Sequence, residues 1–380
     1  MPSVDDLRAL PYTGFTAAGE DRDKSGVVVL DRARSEPGYN LTTHRSLCSA
    51  ELLSATGRAL IQWTLPHCRQ WSNILLLENG DVAVIGMDEE PGLKPYELRY
   101  VARLGWSGEL RWKRRLPAHH DLSETPGEGL LVLTAGYRDA PEIAGSERLY
   151  DNRLTLLGRG GEVLEEVSAY DLFRAGPFPF TFQPVAAKET QDGDVAVDLF
   201  HLNSVQWNPY PELADRYPLF GPDNVLVCSR HQDTVAILDW RTKELVWAWG
   251  QGVLSGPHDA SWLANGHLLV FDNGLERGWS RVVEVDPATG EIVWQYRDEQ
   301  PEGFFTLSRG SAQRLANGDT LIAESDRGRA FEVTPDGEIV WEYFSPHVNE
   351  QDERATIVRM KRHPAAEIDA FRAGHRPASQ

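Results

Sequence analysis

Short segments in which apolar and polar residues alternate recur along the whole chain, and a tight turn precedes each of them. In one recurring segment, a turn that usually contains Gly is followed by Glu or Lys, two apolar residues and usually Trp. Side chains of a strand alternate between two faces, and Gly tolerates the backbone of a tight turn, so each copy predicts the outer strand of a hairpin. The six copies end near Trp63, Trp112, Val163, Trp247, Trp294 and Trp341.

A second recurring segment has a polar start, a Leu-x-Asn-Gly turn or an equivalent, and a short apolar strand. Its copies lie at residues 72–86, 120–135, 201–231, 258–273 and 310–325. Segments such as 280–286 add a third strand between the two motifs, which gives four strands per repeat. The spacing is 48 residues from Ser72 to His120 and 52 from His258 to Gly310. A four-stranded propeller blade has a similar length of roughly 40–50 residues.

Six outer strands with only five complete inner pairs predict a sixth blade that the two chain ends share. Residues 45–63 would supply its outer strands and residues 355–363 an inner strand, which removes exposed sheet edges. The predicted fold is all-β: one six-bladed β-propeller of four-stranded blades over residues 26–363, with tails at 1–25 and 364–380.

Two repeats carry insertions, at residues 173–194 and 208–222. Long loops in compact domains are often functional, so both insertions are expected to be rim loops over a site. They could form a lid or a dimer contact, which leaves a homodimer open.

Composition narrows the class of partner. Lys and Arg number 38 against 57 Asp and Glu, and the net charge of −19 argues against nucleic acid and anionic membranes. No apolar run approaches the length of a membrane span. Cys48, Cys68 and Cys228 are too few for a disulfide scaffold, and residues 1–15 lack the pattern of a secretory signal, so a cytoplasmic setting is expected.

The repeats also predict where polar side chains meet. Counting back ten residues from the apolar doublets at Leu130 and Leu268 reaches His120 and His258, and His201 opens the repeat between them. Inner strands of a propeller start at one mouth, so these three imidazoles are expected to converge in one register. The other residues expected at this mouth are His119, Asn203, Arg230, His231, Asp272, Asn273 and Arg309.

The segments HLNSV at 201–205, VCSRHQD at 227–233 and GPHDASWLANGHLLVFDNG at 256–274 resemble the arylsulfotransferase family. These are bacterial sulfotransferases that do not use the nucleotide sulfate donor, and the similarity covers roughly residues 38–362. The resemblance implies a six-bladed propeller and a two-step transfer of a sulfuryl group from an aryl sulfate to a phenol through a sulfated histidine. No cofactor is implied.

Carried over to this chain, the resemblance assigns the family's nucleophile to His258. It assigns the His-x-Asn pair to His201 and Asn203, the arginine that binds the sulfuryl group to Arg230, and a histidine of an earlier blade to His120, with His119 as the second choice of register.

These side chains suit sulfuryl transfer, which needs a nucleophile, stabilisation of charge and a proton donor. A neutral imidazole on His258 could attack sulfur, while Arg230 offers a fixed fork of donors to the sulfuryl oxygens and Asn203 offers a neutral donor. His201 could protonate the leaving phenolate and deprotonate the acceptor, and His120 could hold a sulfuryl oxygen. Two further residues, Asp121 and Asp259, could either fix a histidine tautomer or cap a turn.

A metal enzyme is the alternative. His120, His201 and His258 could hold a divalent transition metal for a lyase or an oxidoreductase, since imidazole is a common metal ligand. Arg230 favours an anionic group over a cation, which favours transfer. The remaining histidines have no partner in the repeat and are expected to be structural or exposed: His44, His67, His267, His347, His363 and His375.

Overall fold

A computed structural model describes residues 13–145, 147–190 and 193–374. Parts of both predicted tails, residues 1–12 and 375–380 with His375, lie outside the described residues. The predicted boundaries at 26 and 363 stay a prediction. Six antiparallel sheets, each with four strands at its centre, form the six blades of a β-propeller, as the repeats predicted.

The strands follow the chain order of the repeats. Two early strands are β1 (Phe15–Ala17) and β2 (Gly26–Leu30). Blade 1 contains β3 (Gly38–His44), β4 (Ser49–Ser54) and β5 (Ala59–Thr64). Blade 2 contains β6 (Cys68–Leu76), β7 (Val82–Asp88), β8 (Arg99–Leu104) and β9 (Leu110–Arg115). Blade 3 contains β10 (Ala118–Thr125), β11 (Gly129–Asp139), β12 (Arg148–Leu157) and β13 (Val163–Ser168), with the short strands β14 (Lys188–Glu189) and β15 (Val195–Val197) at its edge.

The later blades are more regular. Blade 4 contains β16 (Leu202–Trp207), β17 (Asn224–Ser229), β18 (Thr234–Asp239) and β19 (Glu244–Trp249). Blade 5 contains β20 (His258–Trp262), β21 (Leu268–Asp272), β22 (Arg281–Asp286) and β23 (Glu291–Tyr296). Blade 6 contains β24 (Ser311–Arg314), β25 (Thr320–Glu324), β26 (Arg329–Val333) and β27 (Ile339–Phe344), to which β2 adds a fifth strand. The last strands are β28 (Glu353–Ala355), which pairs with β1, and β29 (Ile357–Pro364).

Helices are short. The α-helices are α1 (Pro95–Leu98), α2 (Pro141–Ala144), α3 (Ala169–Arg174) and α4 (Ala365–Gly374). The 3₁₀ turns are Gly19–Asp21, Pro211–Leu213, Pro218–Phe220, Pro301–Gly303 and Ser325–Arg327. Within the described ranges, no helix has the length and apolar character needed to cross a bilayer.

Blade 1 draws its strands from both ends of the chain. β29 pairs antiparallel with β3, and the register joins Ile357 to His44 and Pro364 to Gly38. The outer strands β4 and β5 then follow in chain order. The prediction that a C-terminal strand completes an N-terminal blade is therefore confirmed.

The Asn-Gly turns of the second motif have a common structure. In three blades the Asn side chain accepts a hydrogen bond from the amide two residues later, at 3.0 Å from Asp81, 3.1 Å from His267 and 3.0 Å from Asp319. The following glycines have φ of 86°, 91° and 93°, a left-handed conformation that only glycine adopts freely. The turn residues therefore recur because this backbone demands them.

The five predicted tryptophans lie in the fourth strands of their blades. Trp63 and Trp341 are buried, and their indole N–H groups donate to Gly105 O and Ala55 O in turns of the next blade, at 3.3 and 2.8 Å. The tryptophan position thus links neighbouring blades, which accounts for its recurrence.

The chain forms two compact units. The first includes residues 91–100 and 115–309, with blades 3, 4 and 5, and its apolar core lies between successive blades. The second includes residues 13–90, 101–114 and 310–374, with blades 1, 6 and most of blade 2. Its core between blades 6 and 1 includes Leu53, Leu321, Trp341 and Ile357.

Two of the three cysteines are paired. Cys48, in the turn after β3, and Cys68, at the start of β6, form a disulfide that joins blades 1 and 2, while Cys228 is a buried free thiol. The cysteines build no disulfide scaffold, yet sequence reasoning missed this one bond. Disulfides are typical of oxidising compartments, so the bond counts against the cytoplasmic setting, which stays a prediction.

Reduction of this disulfide should destabilise the second unit. The bond closes a loop of about 20 residues, for which a loss of about 3 kcal/mol in the free energy of unfolding is expected. Urea unfolding of the wild type and of the Cys48→Ser, Cys68→Ser double variant measures the difference. Under denaturing conditions the wild type should titrate one free thiol before reduction and three after it. Three thiols before reduction would contradict the pairing.

Candidate active site

Hydrogen bonds between neighbouring blades define equivalent positions on their inner strands. Asp121 Oδ2 accepts from the amide of Val205 at 3.0 Å, and Ser204 Oγ accepts from the amide of Ala260 at 3.1 Å. Val205 and Ala260 are therefore equivalent donors, and Asp121 and Ser204 are equivalent acceptors. Two residues before each donor and one before each acceptor, His120, Asn203 and His258 occupy equivalent positions.

The predicted register was therefore right for His120 and His258 and wrong for His201. Asn203 fills the equivalent position in blade 4, and His201 lies two residues earlier, just before β16 begins. The reason is local: the pairing of β16 with β17 has an irregularity between Leu202 and Ser204, which the spacing of apolar residues does not reveal.

The backbone is left-handed at several of these strand starts. His120, His201 and Asp259 have φ of 55°, 47° and 46°, and Arg309 has 61°. Such a conformation costs a non-glycine residue on the order of 1 kcal/mol or more and is enriched at functional sites. Four residues with this conformation thus lie near the starts of inner strands.

Four imidazole rings form a continuous row at this end. The ring centroids of His119 and His120 lie 5.0 Å apart, those of His120 and His201 5.0 Å, and those of His201 and His231 4.7 Å. The structure therefore brings together four of the histidines that the sequence predicted.

Their hydrogen bonds define the tautomers at one end of the row. His119 Nε2 lies 3.0 Å from Thr134 O, which can only accept, so Nε2 carries the proton. His119 Nδ1 is then the acceptor for the Nδ1–H of His120 at 2.8 Å. This arrangement leaves Nε2 of His120 as its lone-pair nitrogen. Burial, followed by the charge of Arg99, lowers the pKa of His119 to about 3, so its ring stays neutral.

Asp198 anchors the other end of the row. Its Oδ2 lies 2.5 Å from His201 Nδ1, its Oδ1 accepts from the His201 amide at 3.0 Å, and its carbonyl accepts from His231 Nδ1 at 2.6 Å. Burial opposes ionisation of this carboxyl, but the charge of His201 and its hydrogen bond outweigh burial and lower the pKa of Asp198. An ionised carboxylate therefore holds His201 and supports its protonated form.

His258 is buried and held on both ring nitrogens. Nδ1 lies 2.7 Å from Asn273 Oδ1 and 3.0 Å from Gly256 O, two acceptors, so Nδ1 carries the proton. Nε2 keeps its lone pair and lies 3.3 Å from the amide of Arg309, a long contact. Burial, followed by the charge of Arg230, lowers the pKa of His258 to about 3. The result is a neutral imidazole with a defined nucleophilic nitrogen.

Arg230 places a buried positive charge among these rings. Its side chain is 1% exposed, and its charge contributes to the lowered pKa of both His258 and His231. Asn203 donates from Nδ2 to Pro257 O at 2.7 Å, beside His258, while its buried Oδ1 has no hydrogen-bond partner within the described ranges. That oxygen can accept a hydrogen bond from a ligand hydroxyl.

Asp272 lies apart from the imidazole row, whereas Asn273 and the Arg309 amide contact His258. Asp272 is fully buried and bonded to Arg277, Arg281 and the Ser255 amide at 2.8–2.9 Å, so the structure does not bring it to the imidazole row. Asn273 positions His258 and donates to the carbonyls of Thr306 and Arg309. Asp121 accepts from the backbone amides of Leu122 and Val205, at 2.9 and 3.0 Å.

Sequence reasoning missed two residues of this region. Asp198 lies three residues before His201, and an acidic residue at that spacing before a candidate histidine was the available signal. Gln232 is buried, donates to the carbonyls of Leu199 and Gln183, and accepts from the Gln183 amide at 2.7 Å. It therefore ties residues 173–194 to the strand that leads into His201.

Only one insertion borders this site. In residues 173–194, Phe180 and Phe182 pack against one another, and Phe182 packs on Phe200, directly before His201. Residues 208–222 instead connect the end of β16 to β17, about 20 Å along the strand from His201. The prediction that both insertions cover one site is wrong for the second, because a hairpin loop lies at the opposite end from the start of its first strand.

The structure brings together a different set of possible metal ligands from the one that the sequence predicted. Among the described residues, the group here whose atoms could surround one ion is Asp198, His201 and His231, with ligand atoms within 4.8 Å of one another. His120 and His258 do not belong to that group. The buried guanidinium of Arg230 opposes a cation at this site.

A buried arginine, three neutral histidines and a histidine–carboxylate pair thus lie together in blades 3 to 5 of the propeller. The arylsulfotransferase (ASST) family model matches residues 73–346, and the chain belongs to this family. Membership implies a transferase. A comparison with curated protein sequences finds no match.

Several solved structures are similar to this chain at low sequence identity. A protein of unknown function from Bacteroides caccae is 14% identical, with a TM-score of 0.56 over 86% of this chain and 98% of that one. A streptogramin B lyase is 11% identical, with a TM-score of 0.48 over 93% and 95%. Virginiamycin B lyase from Staphylococcus aureus is 12% identical, with a TM-score of 0.46 over 87% and 86%.

Buried neutral histidines should make folding sensitive to acid. Burial, followed by the charge of His201, lowers the pKa of His231 to about 3, against about 6.5 in an unfolded chain. Between these values the unfolded chain binds more protons, so stability falls as the pH is lowered. When the pH is lowered from 7 to 5, the free energy of unfolding of the His231→Asn variant should therefore fall by about 2 kcal/mol less than that of the wild type.

Urea unfolding at the two pH values measures this difference, and Asn can still donate to Asp198 O. The matched control is His67→Asn at an exposed histidine, which should keep the wild-type dependence. Equal pH dependence of the His231 variant and the wild type would contradict a buried neutral ring.

Proposed function

We propose that the protein transfers a sulfuryl group from an aryl sulfate to a phenolic acceptor, with His258 as the nucleophile. The observation that carries the proposal is the state of His258. Its Nδ1–H donates to Asn273 Oδ1 and Gly256 O, so Nε2 keeps a lone pair. Burial and the charge of Arg230 lower the pKa of the ring and keep it neutral. Family membership supports the reaction class.

In the first step, the Nε2 lone pair of His258 attacks sulfur and forms an S–N bond. The bond between sulfur and the aryl oxygen breaks, and protonated His201 gives its Nε2 proton to the leaving phenolate. Arg230 stabilises the charge on the sulfuryl oxygens, and the Arg309 amide beside Nε2 can donate to one of them. The ring of His120 lies next to that of His201, with centroids 5.0 Å apart, and adds a further polar side chain to the site.

In the second step, neutral His201 takes the proton of the acceptor phenol, whose oxygen attacks sulfur. The S–N bond breaks, His258 returns to its neutral form and His201 is protonated again. Asp198 stays ionised throughout and stabilises the protonated ring of His201. Asn203 Oδ1 can accept from the acceptor hydroxyl before transfer. No cofactor enters either step.

The sulfated intermediate should be observable directly. Purified protein incubated with 4-nitrophenyl sulfate and no acceptor should gain the mass of one SO₃ group in intact mass spectrometry, and added phenol should remove it. His258→Ala should form no adduct and lose transfer by roughly 10³-fold or more, because the nucleophile is gone. His267→Ala, a histidine of the same blade paired with Glu284, is the matched control and should behave as the wild type.

An adduct that persists in His258→Ala would overturn the assignment of the nucleophile. Absence of adduct and transfer, together with stoichiometric metal that disappears in Asp198→Asn, would overturn sulfuryl transfer and support a metal enzyme.

Asp198→Asn tests the role of His201 as acid and base. Loss of the carboxylate should lower the transfer rate by roughly 10²-fold or more, because general acid–base catalysis is worth that much. The loss should be smaller with 4-nitrophenyl sulfate than with phenyl sulfate, since a stable phenolate needs less protonation. Steady-state rates with both donors measure this. An equal loss with both donors would indicate a structural role for Asp198.

A further inference from the structure

A second group of histidine and carboxylate side chains lies in the second unit. His44 ends β3, Glu51 lies in β4 and His347 follows β27. One ligand-type atom from each residue lies within 4.8 Å of the others. Sequence reasoning found no partner for His44 and His347 in the repeat and expected them to be structural or exposed. The structure brings them together, because residues about 300 positions apart meet where the two chain ends share a blade.

The strands fix two of these residues on one face. β3 and β4 pair with Thr42 opposite Glu51, and His44 is two residues from Thr42, so His44 and Glu51 are diagonal neighbours. His347 is held by its carbonyl, which accepts from the Ala355 amide at 2.9 Å. Backbone hydrogen bonds thus hold all three residues in place.

The side chains already approach one another as ligands do. His347 Nε2 lies 3.2 Å from Glu51 Oε2, and the rings of His44 and His347 meet edge to face with centroids 4.8 Å apart. Glu51 and His347 can form an ion pair with each other when His347 is protonated.

Nδ1 of His44 is a buried ring nitrogen that can serve as a ligand atom. The side chain is buried, its Nε2 lies 3.0 Å from Ser345 Oγ, and its Nδ1 has no hydrogen-bond partner among the described residues. With the proton on Nε2, where the Ser345 hydroxyl can accept it, Nδ1 presents a buried lone pair. A hydrogen bond on the far nitrogen is the usual support of a metal-binding histidine.

We propose that His44, Glu51 and His347 bind a divalent zinc ion through His44 Nδ1, a Glu51 carboxylate oxygen and His347 Nε2. Two imidazoles and one carboxylate are an established zinc ligand set, with water in the fourth position. Tetrahedral zinc places its ligand atoms about 3.3 Å apart, a spacing that Glu51 and His347 already have. His347, whose side chain is 32% exposed, gives the ion access from solvent.

The ion would cross-link blade 1 to the segment that follows blade 6. The site is independent of the proposed transfer reaction, since none of its ligands belongs to the imidazole row. Zinc binding should therefore raise the melting temperature of the protein without being required for sulfuryl transfer.

The test is zinc binding to the purified protein after treatment with a chelator. Calorimetry with Zn²⁺ and elemental analysis after dialysis should give one zinc per chain. Glu51→Gln and His347→Ala should each weaken the affinity at least tenfold, and Co²⁺ in the wild type should give the absorption of a tetrahedral site. Two variants are used so that a folding defect in one leaves the other to decide.

His267→Ala is the matched control. His267 Nδ1 lies 2.7 Å from Glu284 Oε1, and among the described residues this pair belongs to no group of three possible metal ligands. It should bind zinc as the wild type does. The second comparison is Asp198→Asn, which alters the other histidine–carboxylate group. Failure to bind zinc, retention of wild-type affinity in both ligand variants, or loss of binding only in Asp198→Asn would overturn the proposal.

Discussion

The hydrogen bonds between the inner strands of neighbouring blades are the constraint on which the site depends. A side chain of one inner strand accepts from a backbone amide of the next, as Asp121 does from Val205 and Ser204 from Ala260. The same bond joins Ser311 to the Met360 amide, where the last strand completes blade 1. A buried amide without a partner would cost about 1–3 kcal/mol, so these bonds allow one alignment of the strands. That alignment places His120, Asn203 and His258 at equivalent positions.

The electrostatics of the site follow from burial. The buried guanidinium of Arg230 and the half-buried carboxylate of Asp198 lie among histidines, and burial keeps His119, His231 and His258 neutral. The carboxylate is paired with His201, while the charge of Arg230 lowers the pKa of His258 and His231. Such a site suits an anionic group that enters, is transferred and leaves. Two of the imidazoles have different partners, since Asn273 and Gly256 hold His258 and the carboxylate of Asp198 holds His201.

The second unit uses covalent and polar links where the two chain ends meet. β29 brings residues 357–364 onto β3, and the disulfide between Cys48 and Cys68 joins that blade to the next. His44 ends β3, four residues before Cys48. A zinc ion at His44, Glu51 and His347 would add a third link to this blade. Stability and chemistry thus rest on different blades, because each depends on residues that only the local pairing brings together.

The sequence by itself determined the class of fold and the positions of two histidines on the inner strands. Four-strand periodicity, Asn-Gly turns and the Trp positions act over a few residues, so they can be read without the tertiary structure, and the blade formed by both chain ends followed from counting strands. His120 and His258 were placed correctly because their spacing to apolar doublets is local.

Only the tertiary structure decided the rest. An irregularity in β16 moves His201 two residues from the expected position, and the carboxylate of Asp198 completes its surroundings. The partners of His44 and the bond between Cys48 and Cys68 depend on which blades adjoin. Such contacts join residues distant in sequence, and no short-range pattern records them.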